Sequence, residues 1–149
     1  MRTWFRSWLT ARLKDREAAP HYNSISSSEK EMAKKEPISL AMNTRVLFVC
    51  MGNICRSPMA EGVFRHLVRQ AGLEDIVKVA SAGTHAFHVG EAPDKRAQAA
   101  AAKRGFDVSD LRAKRVKEKD FDDFDLILAM DWDNLSALQQ VAPKRTHHK

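Results

Sequence analysis

Long hydrophobic runs and cysteines are both scarce in this 149-residue chain. No apolar run approaches the roughly 20 residues that a membrane-spanning helix needs, and the first residues lack the continuous apolar segment of a secretory leader. The two cysteines, Cys50 and Cys55, are too few for a disulfide framework. We therefore expect a cytoplasmic protein with free thiols, and the composition argues against a membrane protein.

The chain also lacks a concentrated block of charge. Its net charge of +6 is spread evenly, because residues 1–42 carry eight Lys or Arg against five acidic residues and residues 43–149 carry 17 against 14. No predicted strand combines basic residues with interleaved aromatic ones, as a nucleic-acid-binding surface would. The composition argues against nucleic acid as a partner, and a small anionic group is the better-supported one.

Residues 1–42 differ in composition from the rest of the chain. Their first part has apolar residues at helical spacing among basic ones, which is typical of a short amphipathic helix. These apolar residues are Trp4, Phe5, Trp8, Leu9 and Leu13. Two interpretations remain open, a membrane-surface or targeting segment and a disordered basic tail, and we favour the tail. The sequence thus predicts a tail and linker at 1–42 and one domain at 43–149.

From residue 43 onward, apolar runs typical of buried strands alternate with stripes typical of helices. Strands are expected at 45–49, 76–82 and 126–130, and helices at 58–72, 94–105, 117–124 and 131–141. The order β-α-β-α-α-β-α predicts an α/β fold, an open, mostly parallel, doubly wound sheet with helices on both faces in three layers. Ligands bind such folds beyond the carboxyl ends of the strands, where Cys50 stands.

Residues 50–57, with the sequence CMGNICRS, connect the first strand to the first helix. Gly52 permits and Asn53 tolerates a positive φ, so successive N–H groups can turn inward as a nest for an anion at the positive end of the helix dipole. Arg56 offers a planar fork of donors to a tetrahedral oxyanion. Cys50 would lie beneath its central atom as a thiolate, with Ser57 donating to the sulfur. The pattern predicts displacement at phosphorus through a phosphocysteine intermediate.

The stretch VLFVCMGNICRSPMAEGVF resembles the phosphate-binding loop and first helix of the low-molecular-weight protein tyrosine phosphatases. The similarity continues through ASAGT at 80–84, DKRA at 94–97, DF at 120–121 and DLILAMD at 125–131, and it covers about residues 43–142. The resemblance implies that family's α/β fold and hydrolysis of phosphotyrosine in proteins or of small aryl phosphates, with no cofactor and no metal. Inorganic phosphate and other oxyanions would bind at the same loop.

The resemblance also implies roles for individual residues. Cys50 is then the nucleophile, Arg56 the group that holds the transition state, and Ser57 the donor that stabilises the thiolate. Asn53 and Ser81 would hold the loop in shape. The remaining substrate-binding positions of the loop are Met51, Gly52, Ile54 and Cys55.

Two of the candidate residues carry alternatives. Phe87 stands where the family usually has an aromatic wall for the substrate ring, and its other interpretation is an ordinary buried phenylalanine. Cys55 resembles the family's resolving cysteine, which traps an oxidised nucleophile as a disulfide, and its other interpretation is an inert core thiol. His85 and His88 have no partners at the spacing of a metal site, so a surface loop is expected there.

The chain departs from the family pattern in two places. It contains no Asp-Pro dipeptide, which carries the family's proton donor, so we expect a domain at 43–149 that is incomplete at its C-terminus and weakened in activity. Leu111 stands where many members have a histidine that supports the loop. The alternative function is therefore a catalytically impaired module that binds phosphotyrosine or oxyanions and lacks the general acid.

Overall fold

The computed structural model describes residues 43–149. Within this range the strands are β1 (Thr44–Cys50), β2 (Val77–Gly83) and β3 (Leu126–Ala129). The helices are α1 (Arg56–Gln70), α2 (Lys95–Ala102), α3 (Glu118–Asp123) and α4 (Trp132–Val141), and a 3-10 turn follows at Lys144–Thr146. The expected order of elements is confirmed. The expected tail or amphipathic helix at 1–42 lies outside the described residues.

The helix ends follow the local signals with small differences. Helix α1 begins at Arg56, so the prediction that it starts at Pro58 is wrong by two residues. Proline is tolerated there because N–H groups in a first helical turn have no intrahelical partner to lose. Gly72 has a φ of 64° just after α1, and Asp94 caps α2 by accepting a hydrogen bond of 2.8 Å from the Arg96 N–H.

The three strands form one parallel sheet in the order β2-β1-β3. Cys50 pairs with Gly83 of β2, and Val49 pairs with Ala129 of β3. The carboxyl ends of all three strands therefore meet at the same edge of the sheet. In open α/β sheets this is the edge at which ligands bind.

Side chains of β1 alternate between two covered faces. Leu47 and Val49 are fully buried in a cluster with Phe121 of α3 and Leu138 of α4. Phe48 points to the opposite face, where its ring meets that of Phe64 in α1 at 5.6 Å. The three-layer arrangement with helices on both faces is thus confirmed. None of the helices at 43–149 combines the length and the apolar character that a bilayer-spanning segment requires.

Candidate active site

Cys50 ends the central strand, and the loop that follows it is fastened to the end of β2. Only 3% of Cys50 is exposed. The Thr84 N–H donates to the Cys50 carbonyl and the His85 N–H donates to the Met51 carbonyl, both at 2.9 Å. The start of the loop therefore continues the sheet pairing beyond the strands, and the thiol lies at the buried base of the loop.

The backbone amides of this loop are available as donors. Among the residues that the structure describes, the N–H groups from Gly52 to Ser57 donate to no protein acceptor. A run of amides without a protein partner at the start of a helix can donate to a ligand that accepts hydrogen bonds. The first two residues of α1, Arg56 and Ser57, belong to this run and add the positive end of the helix dipole. The loop has the donor set of an anion-binding nest.

The left-handed residue of the loop is Asn53, with a φ of 56°. The expectation that Gly52 supplies the positive φ is wrong, because its φ is not in that region. Gly52 instead lies close to a neighbouring ring: a Cβ there would lie 3.0 Å from Cδ2 of His88, and that ring would have to shift by a few tenths of an ångström. The His88 ring covers this part of the loop, and its Nδ1 lies 2.9 Å from Oε2 of Glu91.

A buried chain of polar side chains surrounds the thiol. Ser57 Oγ lies 3.0 Å from Cys50 Sγ. The Asn53 amide nitrogen donates to Ser57 Oγ at 2.9 Å and to Ser81 Oγ at 2.8 Å. The structure thus brings together four of the residues that the sequence singled out: Cys50 from the end of β1, Asn53 from the loop, Ser57 from α1 and Ser81 from β2. A hydroxyl beside the sulfur can stabilise a thiolate.

Sequence reasoning missed the next member of this chain, Glu61. Ser81 Oγ donates to Glu61 Oε2 at 2.6 Å, and Glu61 is 8% exposed. Burial raises the pKa of this carboxyl, while the Ser81 hydrogen bond and the nearby Arg65 oppose the rise. The signal was present in α1, because Glu61 lies four residues after Ser57 and therefore on the same helix face.

Arg56 stands at the mouth of the loop beside Asp131. Its Nη1 lies 2.5 Å from Asp131 Oδ2, and the same carboxylate caps α4 by accepting the Asn134 N–H at 2.7 Å. The hydrogen bonds from the Asn134 backbone and from Arg56 hold the pKa of Asp131 below its usual range, and Asp131 in turn raises the pKa of Arg56. The guanidinium keeps further donors for a ligand.

The remaining candidates differ in exposure. Phe87 is 70% exposed and stacks on His85 with ring centroids 5.2 Å apart, so its interpretation as a buried phenylalanine is wrong. Met51 is half exposed, and Ile54 is partly buried. Cys55 is a partly buried free thiol whose pKa is raised by burial and then by Asp94 and Cys50. Between residues 43 and 149, no three His, Cys, Asp or Glu side chains gather as a metal site.

Comparison with known proteins agrees with this geometry. The family model for low molecular weight phosphotyrosine protein phosphatases matches residues 45–149. The chain is 46% identical to the low molecular weight protein-tyrosine-phosphatase YfkJ of Bacillus subtilis over 104 residues, covering 69% of this chain and 67% of that protein. The chain thus spans about two thirds of the length of this relative.

Two solved structures share the fold. A protein tyrosine phosphatase from Entamoeba histolytica, with Hepes in its active site, matches with a TM-score of 0.69 and 38% identity over 71% of this chain and 67% of that one. Vibrio vulnificus Wzb in complex with benzylphosphonate matches with a TM-score of 0.62 and 33% identity, covering 69% of this chain and 68% of that one. The chain belongs to the low molecular weight phosphotyrosine protein phosphatase family, a family of protein-tyrosine phosphatases.

Proposed function

We propose that this chain hydrolyses phosphotyrosine in proteins, or small aryl phosphates, through a phosphocysteine intermediate. The observation that carries the proposal is the position of the Cys50 sulfur, 3.0 Å from Ser57 Oγ at the base of a loop whose amides find no acceptor within residues 43–149. A phosphoryl group bound by these amides would have its phosphorus directly above a thiolate. Arg56 would hold two of its oxygens from the mouth of the loop.

The proposed reaction has two displacements at phosphorus. In the first, Cys50 Sγ attacks the phosphorus, the bond to the aryl oxygen breaks, and the released aryl oxygen takes a proton from solvent. In the second, water attacks phosphocysteine and gives a proton back to solvent, the sulfur–phosphorus bond breaks, and phosphate leaves with the thiolate restored. The loop amides and Arg56 stabilise the charge on the equatorial oxygens in both steps, and Ser57 stabilises the departing thiolate.

The rim of the site fits an aromatic substrate. Three exposed apolar side chains follow the carboxyl ends of the three strands: Met51 at 50% exposure, Phe87 at 70% and Trp132 at 83%. Exposed apolar side chains that gather at one edge of a sheet can form a contact surface for a ligand. The Vibrio vulnificus relative binds benzylphosphonate, an aromatic group attached to a phosphonate. These points support an aryl phosphate as the substrate class, with Phe87 as one wall for the ring.

Two further expectations belong to this proposal. Free thiols suit a reducing compartment, which supports the cytoplasm as the location. Cys55 follows the nucleophile on the same loop, and we propose it as the thiol that would trap an oxidised Cys50. The comparisons do not support the alternative of an impaired oxyanion-binding module, which would bind phosphate without turnover.

Substitution of the proposed nucleophile, Cys50, and of the charged Arg56 tests the proposal. Cys50→Ser should reduce hydrolysis of p-nitrophenyl phosphate to background and still bind inorganic phosphate, because the loop amides and Arg56 remain. Arg56→Ala should lose turnover and weaken phosphate binding by at least about tenfold, since it removes charge-assisted hydrogen bonds. Arg69→Ala is the matched control, because Arg69 lies at the other end of α1 and pairs with Glu74.

The results separate the two functions. Turnover by the unmodified chain that disappears in Cys50→Ser supports the enzyme. Phosphate binding without turnover of any aryl phosphate would support the oxyanion-binding module. Normal turnover by Cys50→Ser would contradict the assignment of the nucleophile.

A further inference from the structure

We propose that Glu61 is a positioning residue for the nucleophile. By accepting the hydrogen bond from the Ser81 hydroxyl, it determines which groups donate and which accept in the buried hydrogen bonds that lead to Cys50. The inference rests on the proposed role of Cys50. It concerns a residue on α1 that would touch neither substrate nor the reacting sulfur and would act through Ser81, Asn53 and Ser57 in turn.

The four side chains that are hydrogen-bonded from Ser57 to Glu61 are shielded from water. Their exposures are 0% for Ser57, 1% for Asn53, 4% for Ser81 and 8% for Glu61. All buried side-chain polar atoms of the described residues have a hydrogen-bond partner. Water therefore cannot readily replace a hydrogen-bond partner that is lost. When one of these four side chains changes, the hydrogen bonds of the others must rearrange.

The amide of Asn53 is held in one orientation. Its Oδ1 accepts the Lys114 backbone N–H at 2.9 Å, so its nitrogen must face the two hydroxyls, Ser57 Oγ at 2.9 Å and Ser81 Oγ at 2.8 Å. Both hydroxyl oxygens thus accept from Asn53. A hydroxyl has a single proton, and each of these protons must go to a different acceptor.

The hydroxyl protons of Ser81 and Ser57 then each have a defined acceptor. The Ser81 proton goes to Glu61 Oε2 at 2.6 Å. The Ser57 proton has Cys50 Sγ at 3.0 Å and the Ala82 carbonyl at 3.3 Å, and a thiolate is both the nearer and the charged acceptor. Without an acceptor at position 61, the Ser81 proton would turn toward the Asn53 amide, where two donors would face each other. The amide would loosen its hold on Ser57, and the thiolate would lose stabilisation.

Charged groups around Glu61 come from three parts of the fold. Arg65 Nη1 on α1 lies 3.7 Å from Glu61 Oε1, and Arg65 also pairs with Asp110 at 3.3 Å. Lys114, in the segment beside β2, is the other cation that favours the ionised carboxyl, and Asp110 opposes it. Desolvation is the largest effect and raises the pKa of Glu61, so its proton uptake begins at higher pH than for an exposed glutamate.

A positioning role for Glu61 and a purely electrostatic effect of its charge predict opposite shifts in the pH at which the Cys50 thiolate forms. A negative charge near Cys50 disfavours a second negative charge on the sulfur, so removing the Glu61 charge would by itself favour the thiolate. The thiolate would then form at lower pH in a neutral variant. If Glu61 acts by positioning, its neutral variant should form the thiolate at higher pH, because Ser57 is no longer held as a donor.

The test is the pH dependence of iodoacetamide alkylation at Cys50 in the full chain. Cys50 and Cys55 share the tryptic peptide 46–56, so fragment-ion mass spectrometry assigns the label to each cysteine, with Cys55 as the internal reference. Glu61→Gln is the main variant. The amide oxygen of the glutamine should face the Arg65 guanidinium, because two donors repel each other. The glutamine NH₂ group then faces Ser81, where an acceptor is needed. Glu61→Met, which removes the acceptor with little change in length, is the second variant. Asp110→Asn is the control, because it removes a charge that acts on the same Arg65 and lies outside the chain of hydrogen bonds.

The positioning role predicts that both Glu61 variants raise the midpoint of Cys50 alkylation by roughly 0.4 to 1 pH unit, the equivalent of one hydrogen bond. Asp110→Asn should leave the midpoint unchanged or lower it. In a Ser81→Ala background, Glu61→Gln should add no further shift. Folding is checked by circular dichroism, and where one Glu61 variant fails to fold, the other decides.

A folded Glu61 variant whose midpoint is unchanged or lower would overturn the inference, and so would a shift that persists in full when Ser81 is absent. These outcomes differ from failure of the proposed function. If Cys50 of the unmodified chain is alkylated no more readily than Cys55 at any pH, the assignment of the nucleophile is wrong and Glu61 has nothing to position.

Discussion

At the scale of single residues, Asn53 does more than hold the loop in shape. It occupies the left-handed region with a φ of 56°, and its side chain makes three hydrogen bonds that join the loop to α1, to β2 and to the segment at Lys114. Asparagine tolerates this backbone conformation better than most residues. One residue therefore supplies both the turn that directs the loop amides inward and the contacts that keep them there.

The two contributions of Asn53 can be separated. Asn53→Ala and Asn53→Gly lose the same side-chain hydrogen bonds, and only glycine adopts a positive φ without cost. We expect Asn53→Ala to be less stable than Asn53→Gly by about 1 kcal/mol, measured by urea denaturation. Both variants should lose most of the turnover. Equal stability of the two would mean that the loop relaxes to a negative φ once the side chain is gone.

At the scale of elements, the start of α4 is tied to the mouth of the site. Asp131 caps this helix through the Asn134 N–H and pairs with Arg56 at the start of α1. Because the pKa of Asp131 is lowered, both contributions are complete above the ordinary aspartate value of 3.8 and are lost only as pH falls through the lowered pKa. The pairing is therefore intact at neutral pH.

Asp131→Asn and Asp131→Ala separate the cap from the ion pair. Asparagine caps helices about as well as aspartate but carries no charge. Alanine provides neither the cap nor the charge. We expect the asparagine variant to keep its thermal unfolding midpoint and the alanine variant to lose a few degrees. Both should show a similar several-fold loss of kcat/KM, because Arg56 is no longer held. Unchanged kcat/KM in Asp131→Asn would show that Arg56 is positioned by other contacts.

Local patterns predicted the elements well, and contacts between distant residues account for what they missed. The order of strands and helices, the cap at Asp94 and the glycine after α1 depend on neighbours in sequence. The role of Glu61 depends on Ser81, 20 residues away, and the ring that lies close to Gly52 is that of His88 in another loop. The spacing in α1 places Glu61 on the same helix face as Ser57, but spacing alone does not distinguish a buried, hydrogen-bonded glutamate from a solvated one.

At the scale of the whole molecule, the described residues 43–149 lie within one compact unit. Residues 43–149 contain the sheet, the helices on both of its faces and every residue of the candidate site. The sequence difference between residues 1–42 and 43–149 leads us to propose that the domain at 43–149 carries the function and that residues 1–42 are a tail and linker.

A chain that begins at Met42 should therefore fold and bind oxyanions as the full chain does. The expected results are the circular dichroism of a folded α/β domain, the same phosphate affinity and the same rate on p-nitrophenyl phosphate. Loss of folded protein on removal of residues 1–41 would show that these residues stabilise the domain. A changed affinity in a folded short chain would show that they contribute to the site.

The central claim is that the sulfur of Cys50 becomes covalently attached to phosphorus during turnover, and trapping that bond tests it most directly. The full chain is mixed with p-nitrophenyl phosphate, quenched in acid within milliseconds, digested and analysed by mass spectrometry. We predict that the peptide containing Cys50 gains one phosphoryl group at this residue, that Cys55 gains none, and that the label is absent from Cys50→Ser. Turnover of the substrate with no phosphoryl group on Cys50 at any quench time, or with the group on another residue, would contradict the account.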